Sequence, residues 1–376
     1  MSDDQRRPDS RPLLVALGVG AVGVWLWWRN RPPQSNITLN PACGTMNGRV
    51  CVVTGANTGI GKATAMQLAE RGAHVVLGCR SLTKGNTACE DIRRHVPGAK
   101  VQTLPLDLES FDSVRTFVDT FRETGLPLHV LVNNAGALLS KLETVKDMER
   151  TMVVNHLGPF LLTHLLLPHL RESASTAAAA STSTSTSTSP EASTDHSQKL
   201  SASRIVNVSS MLEKRGRIPA MAAGTPPGPA WFRPLPGEYD AFNHYGSSKL
   251  CNLLFTFELD RRLSASGSSE TASCVTVNAV SPGIVNSDLG RNMFGPWIHW
   301  LAKPFLGLMM RNVHKGAEVV TWAATSQDLE NSGGKYFRNM AEIPCSDTAK
   351  DEELAKKIWE ASEVATRTRV HGAERE

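Results

Sequence analysis

The sequence contains no Cys-x-x-Cys pair and no large excess of either charge. Its seven cysteines stand at positions 43, 51, 79, 89, 251, 274 and 345, and its eleven histidines are scattered. Structural metal sites need closely spaced thiol or imidazole ligands, so we expect none here. Unpaired cysteines within predicted strands and helices also favour a reducing compartment. We interpret His164 and His169, on a predicted apolar helix, as packing or surface residues.

Positive and negative charges nearly balance along the 376 residues, with 40 Lys and Arg against 36 Asp and Glu. A net charge of +4 is too small to predict nucleic-acid binding. An α/β fold of about 250 residues can form one unit, so the length allows a single folded domain with tails. The composition is compatible with a homo-oligomer.

A glycine-rich turn follows the first predicted buried strand. Residues 49–53 (RVCVV) form an apolar, β-branched run, and residues 62–69 suit a helix packed on a sheet. Glycines let the backbone approach a pyrophosphate, and a helix N-terminus attracts its negative charge. The pattern therefore predicts dinucleotide binding, with a purely structural turn as the alternative. The predicted contacts are Gly55, Asn57, Thr58, Gly59, Ile60 and Gly61.

Tyr245 and Lys249 lie four residues apart, on one face of a predicted helix. A nearby ammonium favours the phenolate, so we expect Lys249 to lower the pKa of Tyr245 towards the range of a general acid/base. The alternative for such a pair is a solvated helix face. Three further polar motifs end apolar runs of the chain and favour the first interpretation: Asn133-Asn134-Ala135-Gly136, Asn155 and Ser209-Ser210.

In this order, the motifs resemble the short-chain dehydrogenase/reductase family over residues 47–345. The chain is most similar to its membrane-anchored retinol dehydrogenases. The resemblance implies a single α/β domain with a doubly wound parallel sheet of the Rossmann type, followed by a C-terminal helix and tail at residues 346–376. The narrower similarity rests on the segments that begin at Gly78 (GCR), Asn155 (NHLG), Arg204 (RIVNVSS), Ser248 (SKLCN), Pro282 (PGIVNS) and Trp359 (WEAS).

The family's catalytic tetrad falls on Asn155, Ser210, Tyr245 and Lys249. By resemblance, Ser210 hydrogen-bonds the substrate oxygen, with Ser209 as the rival for this role. Tyr245 exchanges its proton as a hydride moves between the substrate carbon and a nicotinamide. Lys249 tunes Tyr245 and contacts the nicotinamide ribose, and Asn155 holds a water that continues the proton relay to solvent.

The resemblance also implies cofactor contacts elsewhere in the chain. Asp107 would lie beside the adenine, although a loop cap is an equally good interpretation of this residue. Ser287 stands where many relatives have threonine, a change that keeps the hydroxyl. The remaining implied contacts are Asn133, Ala135, Gly136, Pro282 and Gly283.

The end of the second predicted strand indicates which nicotinamide cofactor is used. NAD-specific relatives carry an acid there that hydrogen-bonds the ribose 2′-hydroxyl, whereas this chain has Cys79 followed by Arg80. A guanidinium can bind the 2′-phosphate that a carboxylate would repel. We therefore expect NADP(H), although Thr58 stands where many NADP-using relatives carry a basic residue.

The N-terminus predicts a membrane anchor. Residues 12–28 are uncharged, about 17 residues or some 25 Å as a helix, and end in tryptophans suited to a bilayer interface. A tail (residues 1–11) precedes the anchor and a linker (residues 29–46) follows it. We expect retention in the endoplasmic reticulum with the domain facing the cytosol, so that the Asn36 sequon stays unglycosylated. A mitochondrial address or a cleaved signal peptide is the alternative.

Two segments interrupt the family pattern. Residues 172–203 are rich in Ser, Thr and Ala and poor in large apolar groups, so we expect a disordered loop. The Pro- and Gly-rich residues 214–240 are interpreted as an ordered loop at the substrate mouth, with recognition by a proline-binding partner as the alternative.

Residues 284–312 are predicted to form a substrate lid, because many apolar side chains follow Gly283. A lipophilic substrate delivered from a membrane explains this composition. Retinal or retinol is the expected pair, and steroids or other lipid aldehydes are the alternatives. A membrane protein that binds a nucleotide without turnover is the alternative of a different class.

Overall fold

The computed structural model describes residues 43–183, 202–219, 225–234, 237–265, 275–283, 285 and 312–367, with side chains within the first range up to residue 176. The predicted anchor, most of the predicted lid and Ser287 lie outside these residues.

Parallel strands and helices alternate along the described chain. The strands are β1 (Val50–Thr54), β2 (His74–Cys79), β3 (Val101–Pro105), β4 (Val130–Asn133), the short pair β5 (Thr144–Val145) and β6 (Met148–Glu149), β7 (Ser203–Val208), β8 (Val275–Val280), β9 (Lys335–Arg338) and β10 (Ala341–Glu342). The long helices are α1 (Gly59–Glu70), α2 (Leu82–His95), α3 (Phe111–Glu123), α4 (Gly158–Ser183), α5 (Ala241–Ala265), α6 (Val313–Thr325) and α7 (Glu352–Thr366).

Eight strands form the main sheet in the order β10-β9-β8-β7-β4-β1-β2-β3. Neighbouring strands are parallel except for β10, which pairs antiparallel with β9. The order reverses at β1, which lies between β2 and β4. A crevice forms at such a switch point, outside the carboxyl ends of the strands. The predicted doubly wound α/β fold is confirmed.

Both faces of the sheet are covered by helices, as the continuous apolar composition of β1 requires. Cys51 and Val53 enter one buried cluster with residues of α1, α2 and α6. Val50 and Val52 point to the opposite face, into a second cluster with residues of α3, α4 and α5. This alternation follows from the two-residue period of a strand.

The C-terminal helix closes a third buried cluster. Ile358 and Ala361 of α7 pack there with Trp231 and Phe232, which lie in a short helix (Pro229–Phe232) of the predicted Pro- and Gly-rich loop. The Trp231 indole also donates a hydrogen bond to the Pro226 carbonyl, at 3.3 Å. Part of this loop is therefore anchored in the core.

The segment predicted as a disordered loop, residues 172–203, includes residues that the structure shows as helix and strand. Helix α4 continues to Ser183, and Ser173 and Ala174 are buried on it. The Ser173 hydroxyl accepts a hydrogen bond from the Leu128 amide at 2.9 Å. Alanine has the highest helix propensity, and small residues can be buried where a helix comes close to the sheet. At the other end Ser203 already belongs to β7, so the prediction of a loop over residues 172–183 and at Ser203 was wrong.

Within the described residues, no helix is long and apolar enough to cross a membrane. The six described cysteines are free. No group of three or more metal-ligating side chains was found among the described residues. His164 packs near Phe160 and Trp359, with ring centroids at 5.8 and 6.1 Å.

Candidate active site

A cleft of about 870 Å³ lies at the carboxyl ends of the strands, where the strand order reverses. It is lined by residues that follow β1, β2, β3, β4, β7 and β8, so the sheet itself gathers segments that are distant in sequence. Of the predicted site residues, the cleft brings together Gly55, Asn57, Thr58, Gly59, Ile60, Gly61, Arg80, Asp107, Ala135, Gly136, Ser210, Tyr245, Lys249, Pro282 and Gly283.

The glycine turn has no room for side chains. Gly55 has φ +65°, and a Cβ there would lie 2.9 Å from the Cα of Ala135. A Cβ on Gly61 would lie 2.5 Å from the Gly55 carbonyl oxygen. Helix α1 begins at Gly59 with no acidic residue in its first turn. Its N-terminal N–H groups therefore offer an anion site that a close-fitting pyrophosphate can reach.

Thr54 connects the glycine turn to the loop after β4. Its hydroxyl oxygen accepts hydrogen bonds from the amides of Asn134 and Ala135, each at 3.0 Å. The Asn134 side chain donates to the Thr54 carbonyl oxygen at 2.8 Å. Both loops that meet at the switch point are thus held by one buried residue.

The structure does not bring the Asn133 side chain to the cleft, and the predicted cofactor contact of this residue stays a prediction. Its amide nitrogen donates to Thr163 and Asn207, each at 2.9 Å, on the face of the sheet covered by α4. The neighbouring Asn134 lines the cleft instead. Asn133 is the last residue of β4, and the alternation of side chains along a strand was the signal that separates the two asparagines.

Arg80 and Lys84 add positive charge to the end of the cleft that adjoins β2 and β3. Both are exposed and line the cleft, and Lys84 was not predicted from the sequence. Among the described residues no carboxylate forms an ion pair with either side chain. Arg150, which also lines the cleft, instead pairs with Glu109 at 2.7 Å and with Glu143.

The residue before Arg80 is neutral. Burial raises the pKa of the Cys79 thiol to about 12, so this position carries no negative charge near neutral pH. Asp107 caps a loop, as one of its two interpretations holds, and its contact with an adenine stays a prediction. It lines the cleft, and its carboxylate accepts a hydrogen bond from the Glu109 amide at 3.1 Å, which caps the loop after β3.

Tyr245 and Lys249 lie one turn apart on α5 and are buried at the floor of the cleft. The Lys249 ammonium nitrogen is 5.4 Å from the Tyr245 ring centroid and donates to the Val208 carbonyl oxygen at 2.9 Å. Burial lowers the pKa of Lys249 to about 8. This lysine therefore changes its protonation close to neutral pH.

The pKa of Tyr245 is shifted in the direction opposite to the prediction. Burial of the phenol, with Tyr336 nearby, raises the pKa of Tyr245 above its usual value. The helical spacing correctly placed Lys249 beside the ring. In the chain alone, however, the loss of hydration outweighs the attraction of an ammonium that is itself buried.

The two serines at the end of β7 have different surroundings. The Ser209 hydroxyl donates to the Lys249 carbonyl oxygen at 3.0 Å, and this residue is buried. Ser210 is only half-buried, and its hydroxyl oxygen accepts from the Leu212 amide at 3.2 Å. The hydroxyl proton of Ser209 is therefore already used in a hydrogen bond to the backbone. Among the described residues, no acceptor was found for the hydroxyl proton of Ser210.

Asn155 lies behind the cleft rather than on its wall. It sits in a π-helical turn (Val153–Leu157), a feature frequent at functional sites. Its amide accepts from the Ala137 amide at 2.7 Å and donates to the Ala137 carbonyl at 2.9 Å and to Ser248 at 3.0 Å. A Cβ on Gly136 would be 3.4 Å from the Asn155 oxygen and 3.6 Å from the Lys249 nitrogen. Gly136 therefore lies against both side chains.

Comparison with known proteins shows the family to which the chain belongs. The family model for short chain dehydrogenases matches residues 49–194. The chain is 38% identical to human (Homo sapiens) retinol dehydrogenase 11 over 84% of this chain and 85% of the relative. It is 36% identical to dehydrogenase/reductase SDR family member 13 of Bos taurus, over 87% of this chain and 76% of the relative.

Solved structures agree with the fold. A crystal structure of a Mycobacterium paratuberculosis protein matches with a TM-score of 0.62 and 28% identity, over 87% of this chain and 96% of that one. The 3-ketoacyl-(acyl-carrier-protein) reductase of Brucella melitensis matches with a TM-score of 0.53 and 20% identity, over 78% and 97%. The chain belongs to the short-chain dehydrogenase/reductase family, and its predicted similarity to the retinol dehydrogenases is confirmed.

Proposed function

We propose that the protein is an NADP(H)-dependent oxidoreductase that interconverts a lipophilic aldehyde or ketone and its alcohol, with retinal and retinol as the first pair to test. One observation carries the proposal. Ser210, Tyr245 and Lys249 line the same cleft as the glycine turn. A proton donor, a hydroxyl and an ammonium thus adjoin the backbone that suits a dinucleotide.

The residues of the cleft fit an NADP(H) cofactor. The spaces at Gly55 and Gly61 that a Cβ would fill admit a pyrophosphate, and the N-terminus of α1 favours its charge. Arg80 and Lys84 would contact the 2′-phosphate, whereas the neutral Cys79 offers no carboxylate to a 2′-hydroxyl. Pro282 and Gly283 would border the nicotinamide end.

When bound, the cofactor supplies or accepts a hydride at the substrate carbon. In the reductive direction Ser210 donates a hydrogen bond to the carbonyl oxygen, and Tyr245 transfers its phenolic proton to that oxygen. The raised pKa of Tyr245 keeps the phenol protonated before the reaction. The Lys249 ammonium beside the ring then stabilises the phenolate.

Lys249 also suits the return of the proton. With a pKa of about 8 it can release and regain a proton close to neutral pH. Asn155 and Lys249 both lie against Gly136. Asn155 would hold a water there, on the route to solvent. In the reductive direction the proton would return from solvent past Asn155 and Lys249 to the Tyr245 phenolate, and in the oxidative direction it would leave by the reverse route.

The proposed substrate class rests on the names of similar proteins and on the apolar residues that line the cleft. Five of the similar curated relatives are named retinol dehydrogenases, including retinol dehydrogenase 12 of Mus musculus, 36% identical over 84% of this chain. Leu138, Leu139 and Leu212 line the cleft and offer apolar contacts. Residues 12–28 support a membrane anchor, and the unpaired cysteines and the proposed use of NADP(H) favour a domain that faces the cytosol. The proposed location is the endoplasmic reticulum, with substrate taken from the bilayer and mitochondria as the alternative.

The test compares the full-length chain with Tyr245→Phe. Retinal, a steroid ketone and a medium-chain aldehyde are each offered with NADPH and NADH, and cofactor oxidation is followed over many turnovers and over a single one. We expect turnover with at least one lipophilic carbonyl. Tyr245→Phe should lower kcat by about 10²–10⁴-fold, because it removes the proton donor, and should leave NADPH affinity unchanged.

Near-normal turnover by Tyr245→Phe would contradict the assignment of the proton donor. If the wild type binds NADPH without hydride transfer to any substrate of the panel, even in a single turnover, the non-catalytic alternative is correct.

A further inference from the structure

The π-helical turn that carries Asn155 is held by side chains of two consecutive residues. Asn155 is bonded to Ala137 and Ser248, as described above. The next residue, His156, is 1% exposed and points to a different part of the molecule. Consecutive helical residues point in different directions, so two such anchors together restrict the rotation of the turn about its own axis.

His156 lies in an aromatic pocket that reaches the C-terminal helix. Its ring is 6.1 Å from Phe160, 5.8 Å from Phe232 and 6.2 Å from Phe255, measured between centroids. Its Nε2 atom is 2.9 Å from the Ser362 hydroxyl oxygen on α7. Burial lowers the pKa of the ring to about 3, and the neighbouring Asn252 side chain opposes this shift only in part. The imidazole is therefore neutral throughout the working pH range.

The direction of the His156–Ser362 hydrogen bond follows from the partners of the hydroxyl. Ser362 donates its single proton to the Ile358 carbonyl oxygen at 2.7 Å. Its oxygen must therefore accept from His156, which fixes the Nε2–H form of the neutral ring. A buried N–H that loses its acceptor is destabilised unless the backbone moves to expose it or find another acceptor. The π turn is the backbone that would move.

We propose that His156 and Ser362 are positioning residues for Asn155, so that the C-terminal helix forms part of the active-site support. The inference rests on the proposed function only in assigning Asn155 to the proton relay. Loss of the Ser362 hydroxyl releases one of the two anchors of the π turn. Asn155 then loses its fixed orientation towards Ala137 and Ser248, while the glycine turn and the basic end of the cleft are untouched.

The kinetic test uses two matched substitutions on α7. Ser362 and Thr366 are both fully buried, and each hydroxyl donates to the carbonyl four residues earlier, at 2.7 Å. Ser362→Ala removes this local bond together with the acceptor for His156, whereas Thr366→Val removes the corresponding local bond one turn later. We expect Ser362→Ala to lower kcat by about 10- to 100-fold with the KM for NADPH unchanged, because small misplacement of a relay group is costly. Thr366→Val should keep the wild-type kcat.

Substitutions of His156 test the same bond from its other side. His156→Gln keeps an N–H donor near the Nε2 position and should retain most of the kcat. His156→Leu keeps an apolar side chain without a donor and should resemble Ser362→Ala. A loss of kcat in His156→Gln as large as in His156→Leu would overturn the inference, because it would show that ring packing matters and the hydrogen bond does not.

Hydrogen exchange supplies a readout that needs no turnover. Ser362→Ala should accelerate amide exchange at residues 153–158, and Thr366→Val should not. A folded Ser362→Ala protein with wild-type exchange in this segment and wild-type kcat would overturn the inference. Absence of turnover in the wild type would count against the proposed function alone, since the exchange comparison still tests whether α7 fixes the π turn.

Discussion

The positive end of the cleft gives the sharpest prediction about cofactor choice. Arg80→Ala removes a guanidinium that lines the cleft and pairs with no carboxylate among the described residues. A hydrogen bond to a charged group contributes about 1.5–3 kcal/mol, and each 1.4 kcal/mol is roughly a tenfold change in affinity. Because Arg80 is exposed, we take the lower half of this range. The affinity for NADPH should fall by about 10- to 40-fold.

Lys84→Ala should weaken NADPH binding in the same direction but less, because an exposed ammonium is a single, strongly hydrated point charge. The double substitution should lower the affinity for NADPH by less than the product of the two single fold-changes, since both side chains would contact one phosphate. Lys62→Ala is the matched control. It also removes a lysine near the glycine turn, but this lysine is already paired with Asp91 and does not line the cleft.

The assay is a titration of each variant with NADPH and with NADH, at low and at high salt. The affinity for NADH should change little, and the difference between the two cofactors should narrow as salt screens the phosphate contact. Equal losses for NADPH and NADH in Arg80→Ala would refute the reasoning, as would an effect of Lys62→Ala as large as that of Arg80→Ala.

Three other substitutions or deletions have defined outcomes. Gly55→Ala places a Cβ at φ +65° and within 2.9 Å of the Ala135 Cα. Titration should therefore show that the affinities for NADPH and NADH both fall by at least about tenfold. Undiminished affinity would mean that the turn does not approach the cofactor. Because burial lowers the pKa of Lys249 to about 8 from 10.5, the folded chain releases a proton above pH 8 that the unfolded chain retains. The free energy of unfolding should therefore rise from pH 8 to pH 10 relative to Lys249→Met in denaturant titrations, and parallel pH curves would contradict this. Deletion of residues 1–31 should release most of the protein from membranes during an alkaline carbonate wash, and glycosidase should not change the mobility of the wild type; a shift lost in Asn36→Gln would reverse the proposed orientation.

The parts of the fold and site that were predictable are those encoded locally. The apolar run before Gly55, the glycines and the following helix are contiguous, so their strand–turn–helix structure follows from sequence spacing alone. The four-residue spacing of Tyr245 and Lys249 placed both on one helix face. Lys84 stands in the first turn of α2, four residues after Arg80, and was not predicted although its charge and position are visible in the sequence.

The remaining features depend on contacts between distant segments. The spacing of Tyr245 and Lys249 does not reveal how deeply both are buried, and that burial decides the direction of the Tyr245 pKa shift. The small residues Ser173 and Ala174 are buried because β4 and α4 come together, which composition does not report. The contact of His156 with Ser362 likewise becomes visible only when the C-terminal helix is placed.

The position of α7 at the end of the chain has a consequence for biosynthesis. His156 and Ser362 are separated by 206 residues, so a ribosome that adds about 5–20 residues per second needs roughly 10 to 40 s to synthesise the second partner after the first. During this interval the aromatic pocket around His156 lacks its partner on the last helix, and the apolar surface that Ile358 and Ala361 later cover lacks that cover. A chain that stops before Ile358 therefore leaves this apolar surface uncovered throughout its lifetime.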